Sequence, residues 1–284
     1  AKDPDRELVF KLHTFSSSLK LRLFNSSSWE HMAGWNMQIQ KNAIGGYSFL
    51  LPEYKRFITG AFWLTTFRLD NQLSVTGGIR YDRGRIDITA FEDPYLVEYL
   101  HRQGYEEEVI QAYRWRSYPV DRAYGNYSCS AGVVWTPAAG HLLKMNVGRS
   151  FRLPGGNELA SNGVHHGTFR HEKGDATLSS EQGWQIDASY TLAYKKMELV
   201  VSSFASWFDN YIYLRPMGEW SVLPHAGQIY QYSGARALFM GGEINFNMDF
   251  LRHFNYRLVG EYVYTYNRDE HTALSFSPPV SMRN

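Results

Sequence analysis

The sequence lacks the features that define several common classes of protein. It contains a single cysteine, Cys129, which excludes an intrachain disulfide and a multi-cysteine metal site. Its formal net charge is +1, so no basic surface indicates a nucleic-acid partner and no acidic tail indicates disorder. No apolar run reaches the roughly 18 residues of a transmembrane helix. No signal peptide is found at Ala1, so we expect a mature chain or an excised piece.

Catalytic motifs are also missing. There is no Gly-x-Ser-x-Gly elbow, no His-Glu-x-x-His pair and no glycine loop that would cradle a phosphate. The sequence therefore predicts a protein that is not an enzyme and that requires no cofactor. An enzyme whose site is assembled from scattered Ser, His and Asp residues remains an alternative.

Aromatic residues, in contrast, are abundant. The 284 residues include 20 Tyr, 17 Phe and 8 Trp, which together make up 16% of the chain. Outer-membrane β-barrels carry girdles of aromatic residues at both membrane interfaces. A soluble carbohydrate-binding β-sandwich is also rich in aromatic residues, so composition alone leaves both classes open.

The residues between positions 121 and 136 alternate strictly between two kinds of side chain. Odd positions such as Tyr127, Val133 and Trp135 are mostly apolar, whereas even positions such as Asn126 and Ser130 are mostly small or polar. Successive side chains of a strand point to opposite faces. Strands of soluble proteins usually have about 5–6 residues, whereas a membrane-spanning strand needs roughly 9–11. The pattern therefore predicts transmembrane strands.

The same pattern predicts ten strands in five hairpins. The expected spans are 7–24 with 28–41, 57–69 with 72–88, 121–136 with 141–152, 182–193 with 196–213, and 232–250 with 254–266. Turns within hairpins are tight, and the connections between hairpins are long: 42–56, 89–120, 153–181 and 214–231. This asymmetry is typical of outer-membrane barrels, whose long loops lie outside the cell. We expect an all-β, antiparallel transmembrane barrel segment over 1–284, with a bulge near Ser16–Ser18.

Several motifs carry a resemblance to a known family. Strand 141–152 ends in a Phe-Arg-x-Pro motif, and an Asn-Glu-Leu segment follows it. These residues are Phe151, Arg152, Pro154, Asn157, Glu158 and Leu159. This arrangement resembles TonB-dependent outer-membrane receptors, in which an Asn-Pro-x-Leu-x-Pro-Glu motif opens the next strand. Positions 175–181 keep Leu178 and Glu181 of that motif but neither proline. Further similar segments are 42–47, 51–54, 77–82, 209–213 and 276–279.

Within this family, residues 161–165 with 167–169 resemble most the branch associated with uptake of zinc and haem. The resemblance implies a 22-stranded barrel around an N-terminal plug domain, driven by the TonB energy-coupling complex. By this resemblance we expect the chain to be a middle segment of such a barrel, without the plug and the last strands. The implied location is the outer membrane of a Gram-negative cell, with membrane lipid as a partner.

The connection 153–181 holds the candidate ligand site. His165, His166, His171 and Glu172 offer imidazole and carboxylate ligands for zinc, and a histidine also ligates haem iron. Asn162 and Arg170 are further candidate ligand contacts. Neighbouring loops offer residues that would complete a metal site: His101, His225, Asp93 and Glu92. The alternative is that these histidines are simply solvated.

Other polar and aromatic residues have two interpretations each. Arg80, Arg122, Lys144 and Arg152 fall on the polar face, where we expect pairs with carboxylates such as Asp82, Asp187 or Glu243. The run 106–108 is acidic and is expected to mark a solvated loop. The aromatic residues of 89–120 either contact a ligand or pack the loop against itself: Tyr95, Tyr99, Tyr105, Tyr113, Trp115 and Tyr118.

Together these observations predict an outer-membrane receptor that binds a scarce nutrient on its outer loops. The nutrient would be zinc, haem or a metal chelate, carried as cargo for TonB-driven import. Alternatives are a glycan importer of the same family, a passive porin or adhesin-like barrel, a soluble carbohydrate-binding sandwich, and an outer-membrane enzyme.

Overall fold

The computed structural model describes residues 6, 8–46, 49–250, 253–274 and 277–284. Several predicted features extend beyond these residues: residue 7 of the strand 7–24, residues 47–48 of the connection 42–56 with Tyr47 of the 42–47 segment, residues 251–252 of the last tight turn, and Phe276 of the 276–279 segment. The elements are β1 (Val9–Leu23), β2 (Trp29–Gly45), β3 (Tyr54–Arg68), β4 (Leu73–Ile88), β5 (Phe91–Glu92), α1 (Pro94–Arg102), α2 (Glu107–Arg114), β6 (Trp115–Ser117), β7 (Val120–Trp135), β8 (His141–Arg152), α3 (Gly156–Ala160), β9 (Asn162–His165), β10 (Arg170–Lys173), β11 (Glu181–Tyr194), β12 (Met197–Trp220), β13 (Gln228–Phe250), β14 (Phe254–Asn267) and β15 (Ser281–Arg283).

The long strands form one antiparallel sheet in which each strand pairs with the next long strand along the chain. Their order is β1-β2-β3-β4-β7-β8-β11-β12-β13-β14, and β15 pairs with β14. The ten predicted strands and their five hairpins are therefore confirmed, with boundaries shifted by a few residues. Tight turns lie at one end of the sheet and the longer connections at the other, which is the predicted barrel-wall architecture.

Two local predictions are wrong. The connection 214–231 is not a long loop, because β12 continues to Trp220 and β13 begins at Gln228. Pro216 is tolerated there because β12 pairs with β11 only as far as Asn210, so the outer part of β12 has one edge without a ladder. The bulge near Ser16–Ser18 is also absent, because β1 pairs with β2 without interruption from Val9 to Leu23.

Helices α1 and α2 in the connection between β4 and β7 were not predicted. Asp93 accepts a hydrogen bond from the backbone N–H of Leu96 and caps α1, and Pro94 occupies the first turn. Each helix buries one side: Leu100 in α1, and Ile110 with Tyr113 in α2. None of the helices among the described residues combines the length and the apolar character needed to cross a bilayer.

One face of the sheet is apolar and exposed. Leu19 pairs with Trp35, Trp35 with Ala61, Ala61 with Tyr81, and Tyr81 with Tyr127. Directly paired residues share a face, so this row crosses five strands on one side of the sheet. Leu19, Tyr81 and Tyr127 are 53%, 58% and 47% exposed. We call this side the outward face.

The outward face continues across the second half of the sheet. Ala131 pairs with Val147, Val147 with Ile186, Ile186 with Ala205, and Ala205 with Met240. From Tyr127 to Trp135 the strand rises about 26 Å, or about 20 Å normal to the membrane once strands tilt by about 40°. That height is close to the apolar band of about 25 Å on outer-membrane barrels.

The opposite, inner face is polar. Arg80 forms an ion pair with Asp82 and donates to Asn36 Oδ1 at 2.6 Å, which confirms the predicted pairing. Arg122 instead donates to the carbonyl of Ala176 at 2.8 Å. Lys144 is exposed and, within the described part of the chain, belongs to no ion pair. Water or another polypeptide therefore suits this face, and hydrocarbon suits the outward one.

Candidate functional site

The connections at the long-loop end fold together over the inner face. We call residues 49–53, 89–119, 153–180 and 221–227 the outer cap. Within it, β10 pairs antiparallel with β9 and parallel with Gln228–Gln231 of β13. The pairing of β14 with β13 reaches outward only to Ala237. β10 therefore lies along the outer part of the β13 edge that β14 leaves open.

A small hydrophobic core joins the parts of the outer cap. Leu100, Ile110 and Tyr113 of the helices pack with Val164 of β9 and Leu223 of the 221–227 connection. At Gly227 (φ +63°), an added Cβ would lie 2.0 Å from the carbonyl oxygen of Phe169, so only glycine fits this close approach. Three connections that are distant in sequence therefore share one core.

A second core seats the cap on the wall. Ile86, Ile88 and Val120 at the outer end of the inner face pack against Leu159 and Leu178 of the cap. All five side chains are less than 10% exposed. The inner face is therefore apolar where the cap covers it and polar farther from it.

His171 lies at the centre of the cap and is fully buried. Its Nε2 lies 2.7 Å from Asn162 Oδ1, and its Nδ1 lies 2.8 Å from Ser221 Oγ. The amide of Asn162 donates to the carbonyls of Ala112 and Trp115, which fixes Oδ1 as the acceptor for His171. His171 thus donates from Nε2 and accepts from Ser221 at Nδ1, and both ring nitrogens are occupied.

Burial keeps this imidazole neutral. It lowers the pKa of His171 from 6.5 to about 3, and the nearby cations Arg116 and Lys173 act in the same direction. The ring also meets Tyr113 edge-on, with centroids 5.4 Å apart. A metal ion would reach His171 only by displacing Asn162 or Ser221. The geometry therefore assigns His171 to the stability of the cap.

Glu172 organises a second polar network. It is 6% exposed, and its Oε1 accepts from Arg170 Nε at 2.8 Å and lies 3.3 Å from His165 Nδ1. Its Oε2 accepts from the hydroxyl of Tyr232 at 3.0 Å. The Tyr232 hydroxyl in turn accepts from Asn157 Nδ2 at 2.9 Å. This chain of contacts connects the cap strand β10 with β13 and α3.

The Phe-Arg-x-Pro and Asn-Glu-Leu motifs meet at the wall beneath the cap. Arg152 donates to Glu158 Oε2 at 2.7 Å and to Glu181 Oε2 at 3.1 Å. Glu158 also accepts from the backbone N–H of Gly155 at 2.7 Å and so caps α3. Arg152 therefore ties the end of β8 to α3 and to the start of β11.

The remaining motif residues pack around this ion cluster. Leu159 and Pro154 are fully buried, and Phe151 lies against the second core. Asn157 contributes the amide that donates to Tyr232. The motif thus forms a structural junction between the wall and the cap.

The predicted metal ligands do not converge among the described side chains. His165 is half-buried and interacts with Thr168 and Glu172, and the side chain of His166 lies outside the described residues. Of the predicted completing ligands, Glu92 pairs with Arg114 and Asp93 caps α1. No group of three or more His, Cys, Asp or Glu within the described part of the chain is arranged to hold a metal ion.

The aromatic residues of the connection 89–120 divide between core and surface. Tyr113 is buried in the cap core and Tyr99 packs against it, whereas Tyr95, Tyr105 and Tyr118 are exposed. The acidic run 106–108 begins α2 and is exposed to solvent, as predicted.

A cavity of about 510 Å³ lies between β10, the inner face and three residues that follow β14: Leu274, Ser277 and Pro278. Arg170 lies at its cap side, and a hydroxyl pair, Thr265 with Ser277, lies on another side. Its walls are mainly aromatic and aliphatic: Tyr211, Tyr213, Leu214, Tyr232, Phe239 and Leu274. The volume lies in the range of small-molecule sites. Of these residues, only Arg170 was predicted as a ligand contact from the sequence, because most of the others lie on strands whose pattern predicts an ordinary barrel wall.

A comparison of the sequence with protein families gives a match that agrees with the observed fold. Residues 4–283 match the model of the TonB-dependent receptor-like β-barrel family. The chain belongs to this family. No curated protein matches the chain.

Solved structures of similar fold are receptors and transporters. The copper transporter OprC has a TM-score of 0.72 at 15% identity, over 96% of this chain and 40% of that protein. The Serratia marcescens haemophore receptor HasR, solved with its haemophore HasA and haem, has a TM-score of 0.60 at 19% identity, over 92% of this chain and 42% of that protein. The siderophore receptor PirA of Pseudomonas aeruginosa has a TM-score of 0.60 at 16% identity, over 90% of this chain and 41% of that protein. This chain thus spans about two fifths of the length of these proteins.

Proposed function

We propose that this chain, over 1–284, is one segment of the wall of an outer-membrane receptor that imports a scarce nutrient. The receptor binds its cargo beneath the outer cap and passes it through a barrel whose plug domain is moved by the TonB energy-coupling complex. The chain makes and breaks no covalent bond in this scheme.

The observation that carries this proposal is a cavity of ligand size between the outer cap and the wall. A passive pore has no need of a cap seated on its wall through a buried core and two polar networks. Membership of the receptor family, and the copper, haem and siderophore ligands of proteins with the same fold, support cargo of the metal-containing class.

The cargo is zinc, haem or a metal chelate, and among these the cavity favours an organic complex. Tyr211, Tyr213 and Phe239 offer flat apolar faces, whereas no group of three or more His, Cys, Asp or Glu among the described residues is arranged to hold a bare metal ion. Arg170, which pairs with Glu172, is the cation that lines this cavity and is the candidate contact for an anionic substituent. His165, His166, Glu172 and Asn162 stay candidate contacts for the cargo on the basis of the sequence.

Import of a glycan is a second candidate, favoured by the same aromatic walls, since tyrosine rings also stack on sugar rings. A glycan would need neither a metal nor a cation. Replacement of Arg170 by methionine therefore separates the two: binding of an anionic chelate weakens, whereas binding of a neutral oligosaccharide does not.

The test uses the intact receptor in cells starved of iron and zinc. We expect uptake of haem or of a metal chelate that depends on the receptor and stops when the TonB complex is removed. Uptake that persists without that complex would indicate a passive pore. Replacement of Phe239 by alanine should weaken cargo binding, and replacement of Phe62, which lies elsewhere on the inner face, serves as the control.

A further inference from the structure

The cavity beneath the outer cap has one charged side chain among its described lining residues, Arg170. Arg170 and Glu172 lie on β10 with His171 between them. Because successive side chains of a strand point to opposite faces, His171 enters the cap core while Arg170 and Glu172 share the other side. Glu172 is buried and is not among the described residues that line the cavity. It therefore lies behind the cavity wall.

Glu172 binds two side chains that line the cavity. Its Oε1 accepts from Arg170 Nε at 2.8 Å, and its Oε2 accepts from the hydroxyl of Tyr232 at 3.0 Å. Both Arg170 and Tyr232 belong to the cavity lining. One buried carboxylate therefore fixes the cation of the cavity and a tyrosine of its wall relative to each other.

The hydroxyl of Tyr232 is oriented from its other side by α3. Its single hydrogen goes to Glu172, because a carboxylate accepts hydrogen bonds and does not donate them. The hydroxyl oxygen therefore accepts from Asn157 Nδ2, at 2.9 Å. Asn157 lies in α3, which Arg152 ties to the wall. Polar contacts thus run without a break from the wall to Arg170.

Tyr232 also determines how Glu172 binds Arg170. Arginine and carboxylates commonly form bidentate pairs, in which both carboxylate oxygens accept from the guanidinium. Here the described contacts join Glu172 to Arg170 by a single hydrogen bond, because Tyr232 occupies the second oxygen. The guanidinium also lies 5.7 Å from the centre of the Tyr230 ring, and its planar group is therefore held in place before cargo arrives.

We propose that Tyr232 is a positioning residue, whose hydroxyl limits the hold of Glu172 on Arg170 so that Arg170 can bind a carboxylate of the cargo. The inference rests on the proposed function, and it names the cargo class as an organic metal complex that carries a carboxylate. Without the hydroxyl, Glu172 turns and forms a bidentate pair with Arg170. The guanidinium is then less able to bind a second carboxylate, whereas neutral cargo is unaffected.

The test compares two ligands that differ in their carboxylates, ferric haem and ferric haem dimethyl ester. Their affinities for the intact receptor in detergent are measured by titration calorimetry. Tyr232→Phe keeps the ring and every charge of the site. We expect it to weaken haem binding on the order of tenfold, the factor typical of a hydrogen bond to a charged group, and to leave binding of the ester unchanged.

Tyr124→Phe is the matched control. It makes the same chemical change in the core beneath the cap, where the hydroxyl of Tyr124 donates to the carbonyl of Leu178. This variant should change the affinity for neither ligand. A ferric trihydroxamate chelate with and without an added carboxylate serves as a second ligand pair, for which the same difference is expected.

The variant Arg170→Met supplies a further readout that a merely structural role would not affect. In this background Tyr232→Phe should cause no additional loss, because its effect acts through Arg170. Asn157→Ala removes the donor to the Tyr232 oxygen and should give a smaller loss that again requires the carboxylate. It takes the place of Tyr232→Phe if that variant does not assemble.

Three results overturn the inference and leave the proposed function standing. They are an unchanged affinity of Tyr232→Phe for the carboxylate ligands, equal weakening of the acid and the neutral ligand, and a further loss in the Arg170→Met background. A native receptor that binds no ligand of either pair would contradict the proposed function itself.

Discussion

The wall and the outer cap obtain their stability from different interactions. The wall is a regular antiparallel ladder whose outward face is left exposed by the protein itself, so its stability depends on the surrounding solvent. The cap depends on two small cores and on buried polar groups such as His171 and Glu172, each with its partners in place. A wall of this kind tolerates variation on its inner face, whereas a cap of this kind tolerates little change at its buried polar positions.

The largest expected effect comes from a charge on the outward face. Val147→Lys places a cation near the middle of the apolar band, and we expect a loss of about 2–4 kcal/mol in the free energy of unfolding. Asn146→Lys, the next residue on the inner face, is the matched control and should change stability little. Chemical unfolding of the intact receptor refolded into lipid vesicles measures both.

The cap should respond next most strongly to loss of His171. His171→Ala leaves Asn162 Oδ1 and Ser221 without their buried partner and opens a cavity, at a cost of about 3 kcal/mol. Hydrogen exchange should accelerate in 162–173 and 221–227 while the wall strands stay protected. His101→Ala, on the exposed side of α1, is the control, and equal effects of both changes would contradict the assigned role.

Acid should open the cap and leave the wall in place. The pKa of His171 is about 3 in the folded cap and 6.5 when the imidazole is free. The contribution of neutral His171 is therefore complete above pH 6.5 and is lost as the pH falls from 6.5 toward 3. We expect cap opening to become easier by about 1.4 kcal/mol per pH unit in this range, or about 2 kcal/mol at pH 5. Hydrogen exchange of the cap segments as a function of pH measures this, and the response should disappear in His171→Ala.

A smaller effect is expected at Glu172. Glu172→Gln keeps an acceptor for Tyr232 but removes the charge that faces Arg170, at a cost of about 1 kcal/mol. Exchange protection of β10 should fall slightly while that of α3 is unchanged. A loss as large as that of His171→Ala would mean that the carboxylate has a wider structural role.

The wall was predictable from the sequence because its two faces differ at every second residue. Rows such as Ala131–Val147–Ile186 need no knowledge of distant contacts, since the alternation itself fixes the face of each residue. The extension of β12 through Pro216 was missed because proline normally ends a strand, and only the free edge of β12 makes it acceptable.

The cap was not predictable in the same way. The sequence predicts that His171 is an exposed ligand in a loop. In the structure it is bonded to Ser221, which lies 50 residues away and belongs to no recognisable motif. Tyr232 reads as a wall residue, although its hydroxyl joins Glu172 to Asn157. The Phe-Arg-x-Pro and Asn-Glu-Leu motifs were found, but the sequence gives no sign that Arg152 and Glu158 bond to each other.

Accessibility of spin labels in a lipid bilayer tests most directly whether hydrocarbon covers the outward face. With Cys129 replaced by serine, labels are placed singly at Ala131→Cys and Ser130→Cys in the intact receptor. We expect the label at 131 to be relaxed by oxygen and shielded from a water-soluble nickel complex, and the label at 130 to show the reverse. Equal exposure of both labels to the nickel complex, or shielding of 131 from oxygen as well, would contradict a lipid-facing wall.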